Sequence, residues 1–377
     1  MLKVLLAGGG TAGHINPALA ISAIIKDHVP DSQFLYAGTP NGMEATLVPK
    51  EHMEFTPIKV SGFQRRLSVK NVGRNIRAAA YLAASGHRAK QIIGDFKPDL
   101  VIGTGGYVSG PIVYEAARLK IPTLIHEQNA YPGVTTKILS KKVNMVMLTV
   151  EEAMNYLDSD VPHTVTGLPV RKGFTDRLSR DEAKKQLGFD DGMVILSYGG
   201  SLGAGAINDT AQALIKHEQE NKLKINHIHS YGKMGKDTFL PWLKDNGVNT
   251  DDPRLMIKDY IHNMPVCMAA ADLIICRSGA SAITELEAEG RASILIPSPV
   301  VAGNHQYHNA MVLGKAGAAI VIEQKDLVIQ DIIDKVDEFY NNREKLDGLA
   351  QKAAGLYISD TPDRIWAEVE KLISDKL

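Results

Sequence analysis

A chain of 377 residues is too long for one ordinary core and suits two domains of about 150 to 190 residues each. Its 44% hydrophobic and 23% charged content fits a soluble globular protein and excludes disorder as the main state. The net charge of −1 conceals an asymmetry. Phe55 to Gly94 has no Asp or Glu but eight cations (Lys59, Arg65, Arg66, Lys70, Arg74, Arg77, Arg88 and Lys90), which predicts an anionic partner at that segment.

The first apolar run, Lys3–Ala7, reads as a strand passing straight into glycines; it is too short for a signal peptide. No stretch approaches the roughly 18 apolar residues of a membrane-spanning helix, so the expectation is a cytoplasmic protein that touches a membrane only at its surface. Further strand-like runs follow at Gln33–Ala37, Leu100–Ile102, Thr123–His126 and Met145–Val150, alternating with helical patterns. The pattern restarts at Val194–Tyr198 and continues through Ile225–Ser230, Leu255–Ile257, Asp272–Cys276, Ser293–Ile296 and Ala319–Ile322. Continuous apolar strands alternating with helices predict parallel sheets buried on both faces. The fold class is therefore α/β, with two Rossmann-like domains over 1–170 and 171–357. The polar stretch Arg171–Gly192 reads as a linker. The last helix, from about Pro362 with Thr361 as N-cap, is placed to pack back on the first domain through 358–377. Open α/β sheets bind ligands at the carboxyl ends of their strands. Two such sheets facing each other would bring both glycine turns to a central cleft, which suits a reaction between two substrates.

The turn Gly8–His14 matches G-x-G-x-x-G through Gly8, Gly10 and Gly13, and predicts an anion site at a helix N-terminus. A dinucleotide site also needs a carboxylate at the end of the second strand; Ala37-Gly38-Thr39 has none, which argues against a dehydrogenase. The second turn, Gly103-Thr104-Gly105-Gly106-Tyr107-Val108-Ser109-Gly110-Pro111, has four glycines in eight residues where a tight turn needs one or two. The third, Gly199-Gly200-Ser201-Leu202-Gly203-Ala204, opens the second half in the same way. Downstream, Arg277–Glu285 runs from a strand into a helix, where Glu285 can accept bonds from a ribose diol. Asp158-Ser159-Asp160 follows a helical pattern at Glu151–Leu157 and reads as a solvated turn rather than a metal site. Cys267 and Cys276 show neither a disulfide framework nor metal spacing and read as buried thiols.

Six motifs then occur in one order: GGGTAGHINPALA (Gly8–Ala20), GTGGYVSGP (Gly103–Pro111), HEQNAYPG (His126–Gly133), GGSLGA (Gly199–Ala204), CRSGASAITE (Cys276–Glu285) and HQYHNA (His305–Ala310). Together they resemble the MurG family of UDP-N-acetylglucosamine transferases that make lipid II in peptidoglycan synthesis. The resemblance runs from Met1 through the last helix and implies the two-domain GT-B fold. The family usually has Asn where this chain has Leu168.

The resemblance implies that UDP-N-acetylglucosamine meets Thr11, Ala12, Gly13 and Asn129 from the N-terminal side. It puts Arg171 and Ser201 at the diphosphate and the backbone of Ile261 at uracil. Ala280, Ser281, Ala282, Ile283, Thr284 and Glu285 would cradle phosphate and ribose, and Gln306 would reach the sugar hydroxyls. Gly105, Gly106, Tyr107, Ser109, His126 and Glu127 would shape the site for the lipid-linked muramyl pentapeptide and its pyrophosphate. His14 is the candidate general base, since imidazole with a pKa of about 6.5 suits proton transfer at neutral pH; a histidine capping the turn is the structural alternative. Neither a metal nor another cofactor is expected. The basic segment 59–90 would dock on the anionic cytoplasmic face of the plasma membrane. A sugar-nucleotide epimerase on the same fold is the second reading, but it needs neither the basic segment nor GTGGYVSGP. A nucleic-acid binder is third and lacks interleaved stacking aromatics.

Overall fold

A computed structural model of the chain describes residues 1–60, 84–174 and 178–376. They form two compact units, Met1–Pro169 with Ile358–Leu377, and Val170–Tyr357. Most of the acid-free segment, with Arg65, Arg66, Lys70, Arg74 and Arg77, lies outside the described residues.

Unit 1 contains strands β1 (Lys3–Gly8), β2 (Gln33–Gly38), β3 (Glu54–Pro57), β4 (Leu100–Gly105), β5 (Thr123–Glu127), β6 (Met145–Leu148) and β7 (His163–Val165). Between them run helices α1 (Ala12–His28), α2 (Glu44–Lys50), α3 (within 84–96), α4 (Gly106–Arg118) and α5 (Val134–Leu139). The sheet order is β3-β2-β1-β4-β5-β6-β7, and every pairing is parallel. Both faces are dry. On β1, Leu5 and Ala7 join one apolar cluster and Val4 and Leu6 the other, as the two-residue period of a strand requires.

Unit 2 repeats the plan with α6 (Arg180–Leu187), β8 (Met193–Tyr198), α7 (Gly205–Glu220), β9 (Ile225–Ser230), α8 (Gly232–Gly235), α9 (Phe239–Asp245) and β10 (Leu255–Lys258). It continues through α10 (Met264–Ala270), β11 (Leu273–Cys276), α11 (Ala280–Glu289), β12 (Ala292–Leu295), α12 (His305–Lys315), β13 (Ile320–Val321), α13 (Ile329–Asn341) and α14 (Arg343–Ala354). Its parallel sheet has the order β10-β9-β8-β11-β12-β13. In each unit the strand order reverses once, between β1 and β4 and between β8 and β11, and such switch points are where open sheets take ligands.

The stretch read as a linker is largely part of unit 2. Helix α6 carries a complete capping box, Ser179 with Glu182, and buries Ala183 in the core that also holds Cys267 of α10. Its charge has a structural cause. Arg180 (2.9 Å), Lys184 (3.6 Å) and Arg343 (2.8 Å) surround the Asp272 carboxylate, whose side chain is 0% exposed. Asp272 also accepts from the Val194 amide at 2.8 Å.

The last helix, α15 (Thr361–Ile373), belongs to unit 1, where Ile365, Val369 and Ile373 share a core with Leu6, Ile21 and Ile25. Trp366 stacks on His28 of α1 at 4.2 Å. Thr361 is inside the helix rather than its N-cap, because its hydroxyl donates backwards to the Ile358 carbonyl at 2.7 Å. Asp158 pairs with Lys141 at 2.7 Å on an exposed turn. Replacing Ile365 by Ala should cost about 2–5 kcal/mol, the usual loss for a fully buried Ile. Hydrogen exchange checks the location: protection should drop in β1 and β4 and stay unchanged in β8 and β11.

Candidate functional site

At the unit 1 switch point the two glycine turns interlock. Gly106, at φ 76°, lies so close to the first turn that a Cβ on it would stand 2.3 Å from the Gly9 carbonyl oxygen. Gly105, at φ 106°, packs against the imidazole of His14, where a Cβ would meet Nδ1 at 2.8 Å. Only glycine combines those positive φ values with that approach. Between them, the Thr104 hydroxyl donates to the His14 carbonyl at 2.6 Å.

His14 sits half-buried in the first turn of α1, and its Nδ1 lies 3.0 Å from Oε1 of Gln128. Thr11 and Gly13 are exposed beside it, with Ala12 half-buried. Helices α1 and α4 have neither a side-chain N-cap nor an acidic residue in the first turn, so their positive ends are not neutralised by the chain's own carboxylates. One amide of the first turn is committed, however. Glu44 of α2 accepts from Gly10 N at 3.2 Å and from the amide and hydroxyl of Thr39 at 2.9 and 2.6 Å. Burial raises the pKa of this carboxyl, but these bonds outweigh it and hold the carboxyl below its ordinary range. Glu44 is thus a carboxylate against the second strand's end, supplied from the next helix, where inspection of β2 alone does not find it.

The residues expected to shape the acceptor site divide. Tyr107 is 58% exposed, and Gly105 and Gly106 are partly accessible. Ser109 is buried and donates to the Gly106 carbonyl at 3.0 Å, so it braces the first turn of α4. His126 is 1% exposed, with Nε2 on the Gly167 carbonyl at 2.9 Å; burial pushes its pKa down and keeps it neutral. Glu127, also buried, accepts from the Asn129 amide and side chain, the Gly133 amide and the Thr136 hydroxyl. His126 and Glu127 therefore act on their own loop, and direct acceptor contact does not fit their burial. Asn129, half-buried, is positioned through Glu127.

At the unit 2 switch point, Ser201 is exposed on the turn after β8, and α7 and α11 again begin without side-chain caps or first-turn acids. Ala280, Ser281 and Ala282 line the partly accessible first turn of α11, while Ile283 and Thr284 face inward. Three contacts tie that turn down. Ser278 Oγ donates to the Gln306 carbonyl at 2.7 Å, Asn309 Nδ2 donates to the Ser278 carbonyl at 3.2 Å, and Gln306 Oε1 accepts from Ser298 N at 2.9 Å. Arg277 bridges the carbonyls of Ile296 and Pro297 and reaches Gln324 Oε1 at 2.7 Å. Ile261 is buried.

Arg171 and Glu285, assigned by the resemblance to different parts of the nucleotide, bond each other at 2.7 Å from Nε to Oε1. The guanidinium also lies over the Phe174 ring at 5.2 Å. Burial pushes the Glu285 carboxyl up, against the pull of Arg171.

Residues 4–148 match the glycosyltransferase family 28 N-terminal domain, and 194–365 its C-terminal domain. The chain is 42% identical over 376 residues to a UDP-N-acetylglucosamine–N-acetylmuramyl-(pentapeptide) pyrophosphoryl-undecaprenol N-acetylglucosamine transferase from Acetivibrio thermocellus, covering 100% of this chain and 99% of the relative. The chain belongs to the MurG family. The crystal structure of MurG from Acinetobacter baumannii superposes with a TM-score of 0.77 at 27% identity, over 98% of this chain and 100% of that one. A putative UDP-N-acetylglucosamine 2-epimerase from Listeria monocytogenes has a TM-score of 0.67 at 12% identity, covering 100% and 98%, and shares the fold alone. In MurG-family terms, Gln128, Thr104, Glu44 and Arg277 are the residues that motif reading passed over. Each is a polar side chain serving the backbone or another side chain, a role with no spacing signature.

Because the folded chain holds the Glu285 proton more tightly than an unfolded one, a charge there costs stability above the carboxyl range. Arg171→Ala should raise that pKa further, so the variant's stability relative to the parent should fall between about pH 5 and about pH 7. Urea unfolding at both values checks this; a difference independent of pH would show that Arg171 does not oppose the charge.

Proposed function

We propose that this chain is an inverting glycosyltransferase that moves N-acetylglucosamine from UDP to undecaprenyl-pyrophosphoryl-N-acetylmuramyl pentapeptide, lipid I, to give lipid II for peptidoglycan. The observation that carries this reading is the full-length 42% identity to a transferase named for that reaction. In this reading Arg171, Ser201, Ile261, Ala280–Glu285 and Gln306 hold the nucleotide sugar, with Thr11, Ala12, Gly13 and Asn129 completing the donor contacts. Gly105, Gly106 and Tyr107 meet the acceptor. His14 takes the proton of the acceptor hydroxyl as its oxygen bonds the anomeric carbon. The bond to the diphosphate breaks with its electron pair, and UDP leaves. The uncapped first turn of α11 and the guanidinium of Arg171 supply positive potential for that leaving group.

The lipid acceptor places the reaction at the cytoplasmic face of the plasma membrane, and the acid-free segment from Lys59 to Lys90 is the proposed docking surface. Among the described residues, no helix is long and apolar enough to cross a membrane. Cell-wall synthesis in turn ties this activity to cell shape and division.

The assay is incubation with UDP-N-acetylglucosamine and lipid I, followed by mass analysis of the lipid; conversion of the nucleotide sugar without acceptor would favour an epimerase instead. His14→Ala should lower kcat by roughly 10² to 10⁴, the span of general acid–base catalysis, while donor binding persists. A loss under about tenfold in well-folded protein would remove His14 as the base, because that is well below the same span. Glu285→Ala should weaken UDP-N-acetylglucosamine binding by about 1.5–3 kcal/mol, as for lost hydrogen bonds to a charged group. Unchanged affinity by calorimetry would take Glu285 out of the site.

A further inference from the structure

A neutral imidazole acts as a base only through the nitrogen that lacks the proton, so a general base at His14 requires one tautomer. Four hydrogen bonds decide which one. Gln128, 3% exposed, donates through Nε2 to the main-chain carbonyl of His126 at 2.7 Å. A carbonyl oxygen only accepts, so the NH₂ end of the amide faces His126 and cannot be exchanged for the oxygen end. The second hydrogen of the same Nε2 points to Nδ1 of His126 at 3.2 Å. That nitrogen is free to accept, because His126 is kept neutral by burial and donates through Nε2 to the Gly167 carbonyl at 2.9 Å.

The oxygen end of Gln128 is then the atom 3.0 Å from Nδ1 of His14. An amide oxygen only accepts, so Nδ1 of His14 carries the hydrogen and Nε2 carries the lone pair. The ring also stands close to Gly105, where a Cβ would come within 2.8 Å of Nδ1. The carboxylates on neighbouring elements do not compete: Glu44 is occupied by Gly10 and Thr39, and Glu127 by Asn129, Gly133 and Thr136.

We propose that Gln128 is a positioning residue for His14, selecting the tautomer with hydrogen on Nδ1 so that Nε2 is the basic nitrogen. The catalytic half of this proposal rests on His14 being the base. In the transfer, Nε2 receives the proton of the acceptor hydroxyl while Nδ1–H stays on the Gln128 oxygen, which also stabilises the imidazolium that forms. A neutral amide here does part of what a carboxylate does in a serine-protease triad, orienting the ring and fixing its tautomer. His126 stands one step behind, holding the amide the right way round.

Gln128→Met keeps the bulk and removes the acceptor; Gln128→Leu is the second variant should the first fold poorly. Protein labelled with ¹⁵N-histidine, with the His14 signals assigned by difference against His14→Ala, reads the tautomer directly. The parent should show the Nδ1–H form of neutral His14, and the variants should lose it. In the transfer assay kcat should fall about 10- to 100-fold, below the roughly 10⁴ that a wrong tautomer costs a full triad. The Kd for UDP-N-acetylglucosamine should stay within about twofold, and the acidic limb of kcat/KM should move down by about half to one unit, since the imidazolium loses an acceptor. A merely structural Gln128 would lower Tm and leave both the limb and the spectrum in place. An Nε2–H tautomer in the parent, or unchanged spectra and kcat in a folded variant, overturns the proposal. If His14→Ala turns over normally, the base reading is what fails, and the ¹⁵N spectrum still decides the tautomer.

Discussion

A parallel sheet that reverses its strand order must send its crossover helices away on opposite faces, and the gap between their first turns cannot be closed by another strand. That constraint operates in each unit, between β1 and β4 and between β8 and β11. It places the N-termini of α1 and α4 beside the reversal in one unit, and those of α7 and α11 beside it in the other. All four begin without a side-chain cap. Helix α6, which opens elsewhere, has the full reciprocal cap of Ser179 and Glu182. Most other helices also lack a side-chain cap, so what sets these four apart is their place beside the reversal, where the topology provides a ligand position.

The two reversals are furnished with different chemistry. In unit 1 the polar groups around the first turn of α1 form a hydrogen-bonded relay from His14 through Gln128 and His126 to the Gly167 carbonyl. Burial keeps His126 neutral, since an imidazolium at that position would be stripped of water. A relay of this sort fixes hydrogen positions through groups that each have one available role. In unit 2 the central pair is ionic, with Arg171 against a buried Glu285. A guanidinium that already has one oxygen partner keeps further N–H groups for another anion. The hydrogen-bonded relay and the ion pair thus belong to separate units.

Much of this was legible in the residues. Eleven apolar runs marked all six strands of the second sheet and the five inner strands of the first, and the glycine turns fell at carboxyl ends. The two strands that escaped notice are the edges of the first sheet. β3 and β7 are short, partly exposed and mixed in polarity, so neither carries the continuous apolar signal of a buried parallel strand. The stretch before β8 looked like a linker because its charges are dense, yet several converge on Asp272, a residue some 90 positions downstream of Arg180 in sequence terms. Site residues announced by motif, such as His14 and Glu285, stand at the switch points. Gln128, which bonds His14, and Glu44, which holds Gly10 and Thr39, were silent because such hydrogen bonds leave no periodicity. His126 and Glu127, a conspicuous polar pair at a strand end, face inward, which their residue types alone do not signal.

The contact of Gly106 with Gly9 has a consequence for how such an enzyme can change. Two main chains in contact leave no side chain through which variation could act, so any residue larger than glycine at position 106 must push the two turns apart. The displacement would reach His14 through Gly105 and Thr104 whatever the new residue's chemistry. A lineage or an engineer seeking another acceptor therefore has little freedom at the turn itself. The freedom lies at its rim, where exposed Tyr107 can be exchanged without moving the backbone beneath it. Under the proposed function, acceptor choice can drift there while the turn beneath stays locked.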